Sequence, residues 1–263
     1  MLLPISEADV AIPDLADIDL PKRRPTGVDQ KKAEQTGGLA LLGGGGSAPV
    51  AAAVRNAELL PGFHTLEDQA IALQAWETET WTAQRILDEE AVLGPVLDPC
   101  CGTGILSRIA RQRGHTVIAL EIARWGYQGQ DLQQDFLTWQ AVDCRKAGLC
   151  PDVGFTVLMN PPFQLAVQFI LKAMALGARK IICFQRWAFL ESGERRTFWA
   201  QHPPSKPWLC GDRADCHLFT TLPEDRGGRS MANGWFIWEQ GRPPEPMGIL
   251  YRERQISQLL MFD

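Results

Sequence analysis

The chain has 263 residues, 45% of them hydrophobic, which is enough for one α/β domain of ordinary size plus a tail. Its 26 Lys and Arg against 31 Asp and Glu give a net charge of -5, which argues against strong nonspecific binding to nucleic acid. No apolar run approaches the ~20 residues that span a membrane, and the seven cysteines lack paired spacing, as is typical of reduced thiols in a cytoplasmic protein.

The first 62 residues differ in composition from the rest. They are rich in proline, contain the run Gly43–Gly46, and have no aromatic residue before Phe63. Segments of this kind cannot bury enough apolar surface to fold, so residues 1–62 are predicted to be a flexible tail and residues 63–263 to be the folded domain. The glycine run is interpreted as linker, because no Gly-Lys-Ser/Thr follows it as in a phosphate loop.

From Phe63 onward, helical and strand patterns alternate, starting with a region rich in helix formers at 66–91. Strands are predicted at 95–97, 115–120, 155–159, 180–184 and 234–239, and helices at 103–113, 164–176 and 192–201. This alternation indicates an α/β fold with a parallel, doubly wound sheet. Repeated glycines and prolines predict a small irregular recognition insertion at about 192–233.

The segment Asp98-Pro99-Cys100-Cys101-Gly102-Thr103-Gly104 ends one predicted strand and opens the next helix. Ligands of doubly wound sheets bind at such a position. Gly102 and Gly104 allow a sharp turn and a close approach, and the helix N-terminus suits a carboxylate. Asp98 is placed to accept from an ammonium group. Because Ser107 stands where the dinucleotide fingerprint has its third glycine, the pattern favours S-adenosylmethionine (SAM) over NAD.

Acidic residues follow the next two predicted strands. Glu121, 23 residues after Asp98, is expected to bind the two ribose hydroxyls. Asp135 is expected to accept from the adenine amino group, with Phe136 beside the ring. The predicted cofactor-binding residues are Asp98, Pro99, Cys100, Gly102, Gly104, Glu121, Ile122, Asp135 and Phe136.

The segment Asn160-Pro161-Pro162-Phe163 ends the strand at 155–159. An exocyclic amino nitrogen is a poor nucleophile because its lone pair is delocalised into the ring. Two acceptors, the Asn160 side-chain oxygen and the Pro161 carbonyl, would accept hydrogen bonds from its two N–H groups. These bonds would draw the nitrogen toward tetrahedral geometry. The prolines make the loop rigid, and Phe163 offers a flat face to a planar acceptor. These four residues are the predicted catalytic residues.

Together, these residues resemble class I SAM-dependent amino-methyltransferases with an Asn-Pro-Pro-Phe/Tyr motif, most closely the phage-type DNA N6-adenine methyltransferases. The resemblance covers roughly residues 66–240 and extends to Trp125-Gly126, Phe189-Leu190-Glu191-Ser192 and the strand at 235–238. It implies a Rossmann-like, seven-stranded, mostly parallel sheet, SAM as cofactor, and methylation of adenine N6 in double-stranded DNA after the base is flipped out. In the family the opening helix often carries aromatic-Thr-Pro; here Trp81-Thr82 is followed by Ala83.

Other interpretations stay open. The same motif resembles that of methyltransferases acting on a protein glutamine or on RNA, and a non-catalytic SAM-binding scaffold is a third possibility. No metal site is predicted, because Cys210, Cys216 and His217 lack a paired Cys-x-x-Cys and a fourth ligand. The candidate phosphate contacts in the insertion are Arg195, Arg196, Lys206, Arg213, Arg226 and Arg229.

Overall fold

A sheet of eight strands organises the computed structural model, which describes residues 56–150, 152–191, 193–222 and 231–253. The strands are β1 (Val96–Asp98), β2 (Val117–Glu121), β3 (Leu132–Gln133), β4 (Thr156–Met159), β5 (Lys180–Arg186), β6 (Lys206–Cys210), β7 (Asn233–Glu239) and β8 (Gly248–Leu250). Their order is β3-β2-β1-β4-β5-β7-β6-β8, and five of the seven pairings are parallel. Only the pairings of β7, with β5 and β6, are antiparallel.

Helices fill most connections between the parallel strands. They are α1 (Leu66–Ala72), α2 (Thr80–Glu89), α3 (Ile105–Gln112), α4 (Ala141–Lys146), α5 (Ala166–Ala175) and α6 (Arg196–Gln201). Short 3-10 turns occur at Phe136–Thr138, Phe163–Leu165, Trp187–Glu191 and Gly193–Arg195. All five strands predicted from the sequence are present, with bounds that differ by at most two residues.

Two hydrophobic cores lie on opposite faces of the sheet, because successive residues of a strand point to opposite sides. Val157 belongs to the core that includes Phe169 of α5, whereas its neighbour Leu158 belongs to the core that includes Ile86 of α2 and Ile109 of α3. Helices therefore cover both faces, and the prediction of a doubly wound, mostly parallel sheet is confirmed.

Three features differ from the predictions. The sheet has eight strands rather than seven, because Gly248–Leu250 pairs in parallel with β6. The range 192–233, predicted to be irregular, contains β6, which lies within the sheet between β7 and β8. The region 66–91 is not one helix, since the chain leaves the helical conformation at 73–79, where Gln74 has a φ of 50°.

Most of the predicted tail, residues 1–55, lies outside the described residues. Residues 56–62, the end of the predicted tail, pack on the domain rather than being free of it: the Glu58 amide donates to the Arg124 carbonyl at 2.8 Å, and the Leu60 amide donates to Gln69 Oε1 at 2.7 Å. All seven cysteines are free thiols. Within the described residues, no helix combines the length and apolar character that crossing a membrane requires.

Ion pairs join the end of α2 to the sheet. Glu90, only 2% exposed, lies 2.8 Å from the Lys180 ammonium and 2.6 Å from the Arg242 guanidinium. It also accepts a hydrogen bond from the Trp208 indole at 2.7 Å. Such a buried acid is tolerated because each carboxylate oxygen has a charged or polar partner.

Candidate active site

One cavity lies at the carboxyl ends of β1, β2 and β4, where a doubly wound sheet binds ligands. It is lined both by the glycine loop that follows β1 and by the Asn-Pro-Pro segment that follows β4. Eight of the predicted site residues line it: Pro99, Cys100, Glu121, Ile122, Asp135, Phe136, Asn160 and Pro162. The structure thus brings the two sequence motifs, about 60 residues apart in the chain, into one cavity.

The glycine loop turns sharply before α3. Gly102 and Gly104 both adopt positive φ angles, 52° and 85°, which favour glycine. Side chains of the protein itself fill the space beside them: a Cβ on Gly102 would lie 2.3 Å from the Phe219 ring, and one on Gly104 would lie 2.5 Å from the Tyr127 ring. The predicted turn is present, and aromatic rings rather than open cavity pack against these two glycines.

Asp98 is fully buried at the end of β1 and does not itself line the cavity. Its Oδ2 accepts a hydrogen bond from the Ser107 hydroxyl at 2.7 Å. Its Oδ1 is buried and accepts no well-formed hydrogen bond from the described residues, although the Cys100 amide lies close enough to favour the charged form. Burial, opposed by the Ser107 bond and reinforced by the nearby Glu121 charge, raises the pKa of Asp98 to about 7.

Glu121 ends β2 and joins it to the glycine loop. Its Oε2 accepts from the Gly102 amide at 2.9 Å, and its Oε1 accepts from the Ile122 amide at 2.9 Å and the Ala123 amide at 3.4 Å. Burial raises the pKa of Glu121 to about 7 despite these bonds. Each carboxylate oxygen can accept further bonds, so Glu121 can still bind hydroxyl donors from the cavity side.

The part of the cavity beyond β3 contains the residues predicted to hold a purine ring. Asp135 Oδ1 accepts from the Leu137 amide at 2.9 Å, which caps the following 3-10 turn. Phe136 is 1% exposed and packs on Phe169, with ring centroids 5.3 Å apart. Gln168 of α5 also lines this part, and its buried Oε1 has no hydrogen-bond partner among the described residues.

These polar groups fit SAM in the cavity. Glu121 suits the ribose hydroxyls and the orphaned Gln168 amide suits a purine edge, whereas Asp98, which does not line the cavity, would reach the ammonium through a bridging water. The Asp135 carboxylate also lines the cavity. Cys100 and Cys101 stay protonated, because burial raises the pKa of both thiols.

The acceptor motif follows β4. The Asn160 side-chain nitrogen donates to the Trp76 carbonyl and to the Thr78 hydroxyl, both at 2.9 Å. The Pro161 carbonyl receives one long contact, 3.5 Å, from the amide nitrogen of Gln185, a residue 1% exposed. The carbonyl therefore retains a lone pair for a further donor.

Two aromatic rings belong to the segments that meet at Asn160. The Trp76 and Phe163 rings are nearly parallel, inclined by 19°, with centroids 6.5 Å apart. The Arg186 guanidinium lies 4.4 Å from the Phe163 centroid and 5.6 Å from the Trp76 centroid. The site thus presents flat, partly cationic surfaces, which suit a planar acceptor.

Several residues at the cavity were not identified from the sequence. Trp76 and Thr78, in the segment between α1 and α2, line the cavity, whereas Trp81 and Thr82 of α2 do not. Phe219 reaches the glycine loop from a segment that bonds to the chain at Ala75 and Glu77. Gln168 carried no sequence signal of its own, and Trp125, which also lines the cavity, was noted only as part of the family resemblance.

The candidate phosphate contacts fall into three groups. Arg195 donates to the Phe189 and Ala188 carbonyls, and Lys206 pairs with Glu245 at 3.1 Å, so these two cations have internal partners. Arg196 and Arg213 are exposed, whereas Arg226 and Arg229 lie outside the described residues. No group of three or more His, Cys, Asp or Glu within the described part is arranged to hold a metal ion.

Comparison with known proteins gives structural similarities alone. No protein-family model and no curated protein matches the sequence. A predicted O-methyltransferase from Agrobacterium tumefaciens is 16% identical over 67% of this chain and 85% of its own, with a TM-score of 0.42. The type I restriction-modification methyltransferase subunit from Streptococcus thermophilus is 16% identical over 73% and 47%, with a TM-score of 0.40. Magnesium protoporphyrin IX methyltransferase from Synechocystis, with bound SAM, is 14% identical over 68% and 86%, with a TM-score of 0.39.

Proposed function

We propose that this chain is a SAM-dependent methyltransferase that methylates the exocyclic N6 of adenine in DNA. The observation that carries the proposal is the shared cavity, in which the glycine loop after β1 and the Asn-Pro-Pro segment after β4 meet. Methyl transfer between two bound molecules requires such adjacency, because the methyl donor and the acceptor nitrogen must be held within contact distance.

The cofactor half of the site consists of the groups described above. We propose that Asp98 and Glu121 hold the ammonium and ribose of SAM, with Asp135, Phe136 and Gln168 around the adenine ring. When bound, SAM would supply an electrophilic methyl group on a sulfonium, whose S–CH3 bond breaks to leave a neutral thioether. The Gly102 and Gly104 amides already donate within the protein, so the N–H groups at the N-terminus of α3 would face the carboxylate.

The acceptor half activates a nitrogen rather than a hydroxyl. The Asn160 oxygen and the Pro161 carbonyl are two acceptors on neighbouring residues, matching the two protons of an amino group. Hydrogen bonds from both N–H groups to these oxygens withdraw the nitrogen lone pair from conjugation and direct it at the methyl carbon. No strong base is needed, because the proton is acidic once the nitrogen has been methylated and can leave to water.

The aromatic rings support a planar base as acceptor. A flipped adenine is flat and carries its amino group at the edge of the ring, and the nearly parallel Trp76 and Phe163 rings offer flat surfaces near the Asn-Pro-Pro segment. The exposed Arg196 and Arg213 are available to contact phosphates. The net charge of -5 means that such contacts act locally rather than through the whole surface.

The proposal is tested by incubating the protein with labelled SAM and unmethylated plasmid DNA, followed by mass spectrometry of the nucleosides. N6-methyladenine should form with the wild-type protein and with Gln128→Ala, an exposed control, and should be absent with Asn160→Ala. Parallel reactions with total RNA and with a protein mixture examine the other acceptors. Label confined to N4-methylcytosine, RNA or protein would exclude adenine in DNA as the substrate.

A further inference from the structure

The segment between α1 and α2 crosses the cavity next to the acceptor motif. It is held there by an isolated β-bridge between Trp76 and Leu218 and by the Glu77 amide, which donates to the His217 carbonyl at 2.8 Å. Thr78 follows, and its side chain is 4% exposed. The hydroxyl of Thr78 therefore sits in a fixed, water-poor position beside the site.

Both N–H groups of the Asn160 amide are used by this segment. One bonds to the Trp76 carbonyl and the other to the Thr78 hydroxyl, each at 2.9 Å. A backbone carbonyl only accepts hydrogen bonds. Turning the amide over would place the Asn160 oxygen against the Trp76 oxygen, so these contacts select one orientation of the side chain.

In the selected orientation the Asn160 oxygen is left for the acceptor. None of the described residues donates a hydrogen bond to it, and Asn160 is a lining residue of the cavity. Methylation of an amino group requires an acceptor at this position, whereas an amide nitrogen there would repel the N–H protons. The chemistry of the site thus depends on which end of the amide faces inward.

We propose that Thr78 is a positioning residue that, with the Trp76 carbonyl, holds Asn160 so that its oxygen faces the target nitrogen. This inference rests on the proposed function, since it assigns a role within the same site. Thr78 does not itself touch the reacting atoms. Its removal should slow the methyl-transfer step without weakening the binding of SAM.

The direct test replaces Thr78 by valine, which has the same shape and no hydroxyl, and by serine, which keeps the hydroxyl. With unmethylated plasmid DNA and saturating SAM, we expect Thr78→Val to lower kcat about tenfold, the effect of losing one hydrogen bond of ~1.4 kcal/mol. Thr78→Ser should recover most of that loss. The Kd for SAM should stay within twofold in both, and Thr80→Val, an exposed neighbour, is the matched control.

A second variant keeps the inference testable if Thr78→Val does not fold. In Asn160→Asp, a charged carboxylate would face the Trp76 carbonyl, which cannot donate to it. Only the protonated acid can both donate to Trp76 and accept from the substrate. We therefore expect kcat of Asn160→Asp at saturating SAM to fall as pH rises from 5.5 to 8, a decline that the wild type lacks.

The outcomes separate the inference from the proposed function. A wild-type protein that forms no N6-methyladenine in DNA would overturn the proposed function. An active wild type whose kcat is matched by Thr78→Val, or an Asn160→Asp variant with a pH profile like that of the wild type, would overturn the positioning role alone. A tenfold loss that serine does not restore would also contradict it, because the hydroxyl would not be the responsible group.

Discussion

Binding of SAM should become tighter as pH rises, because two buried acids must ionise. Burial raises the pKa of Asp98 and of Glu121 to about 7 each, and their mutual repulsion contributes to the shift of Asp98. A cationic ammonium and hydroxyl donors bind the carboxylate form in preference to the neutral acid. Ligand binding therefore competes with protonation below pH 7.

The magnitude follows from the ionised fraction. For one acid with a pKa of about 7, that fraction increases roughly eightfold between pH 6 and pH 7.5, so affinity should increase by about the same factor. If both acids must ionise, the increase is larger.

The stability of the ligand-free protein should change in the opposite direction. The folded state binds more protons than the unfolded state between about pH 4 and pH 7, so stability falls as pH rises across that range.

Isothermal titration calorimetry at several pH values measures this effect, and different buffers reveal the protons released on binding. Asp98→Asn should bind more weakly and lose part of the pH dependence, whereas Asp152→Asn, an exposed acid, should retain all of it. Affinity that is constant or that decreases from pH 6 to pH 7.5 would refute the assignment of these acids to the cofactor. So would an Asp98→Asn variant with an unchanged pH profile and affinity.

Three further predictions concern packing, charge and the cavity wall. Gly94→Ala should lower the free energy of unfolding by about 2–4 kcal/mol in urea titrations, because the new Cβ would lie 2.3 Å from the Gly154 carbonyl oxygen. Gly114→Ala, where the added Cβ meets open space, should lower it by only ~1 kcal/mol, and equal losses would contradict this. Glu90→Gln should cost about 3 kcal/mol by the same method, since the charge of the buried Lys180 loses a partner, and a loss under ~1 kcal/mol would mean that the ion pairs contribute little. Phe219→Ala should weaken SAM binding roughly three- to tenfold in calorimetry by removing apolar wall over the glycine loop, and unchanged affinity would place Phe219 outside the cofactor site.

The order of strands and helices could be predicted because each buried strand is short, apolar and bounded by clear breaks. The internal strand β6 and the edge strand β8 could not. β6 contains Pro207 and follows two other prolines, a composition typical of loops, and it becomes a strand only because β7 and β8 pair with it. Gly248–Leu250 is too short to give a periodic pattern, and its pairing with β6 depends on contacts far apart in the sequence.

The cavity was predictable where a motif directly follows a strand. Asp98 to Gly104 and Asn160 to Phe163 combine a strand end with glycines or prolines, and the topology then brings them together. The segment with Trp76 and Thr78 could not be distinguished from the helix formers around it. The helix breaks at Gln74, which is neither glycine nor proline and so gives no sign of a break in the sequence.

The position of Phe219 beside the glycine loop also depends on tertiary contacts. Its segment pairs with the chain at Ala75 and Trp76, about 140 positions earlier in the sequence. The Phe219 amide donates to the Ala75 carbonyl at 3.0 Å, and the ring packs edge-on against Trp125 at 5.2 Å. Local composition indicates a loop at this point and nothing about the cavity. Such a residue can be recognised only from the assembled structure.

We propose that one cavity holds SAM in one half and activates an acceptor nitrogen in the other. The most direct measurement compares SAM affinity and methyl transfer to DNA in the same preparation of Asn160→Ala. We predict a Kd for SAM within about twofold of the wild type, since Asn160 lies on the acceptor side, together with loss of N6-methyladenine by at least a hundredfold. Normal transfer by Asn160→Ala, or loss of SAM binding in that variant, would contradict the division of the cavity into these two halves.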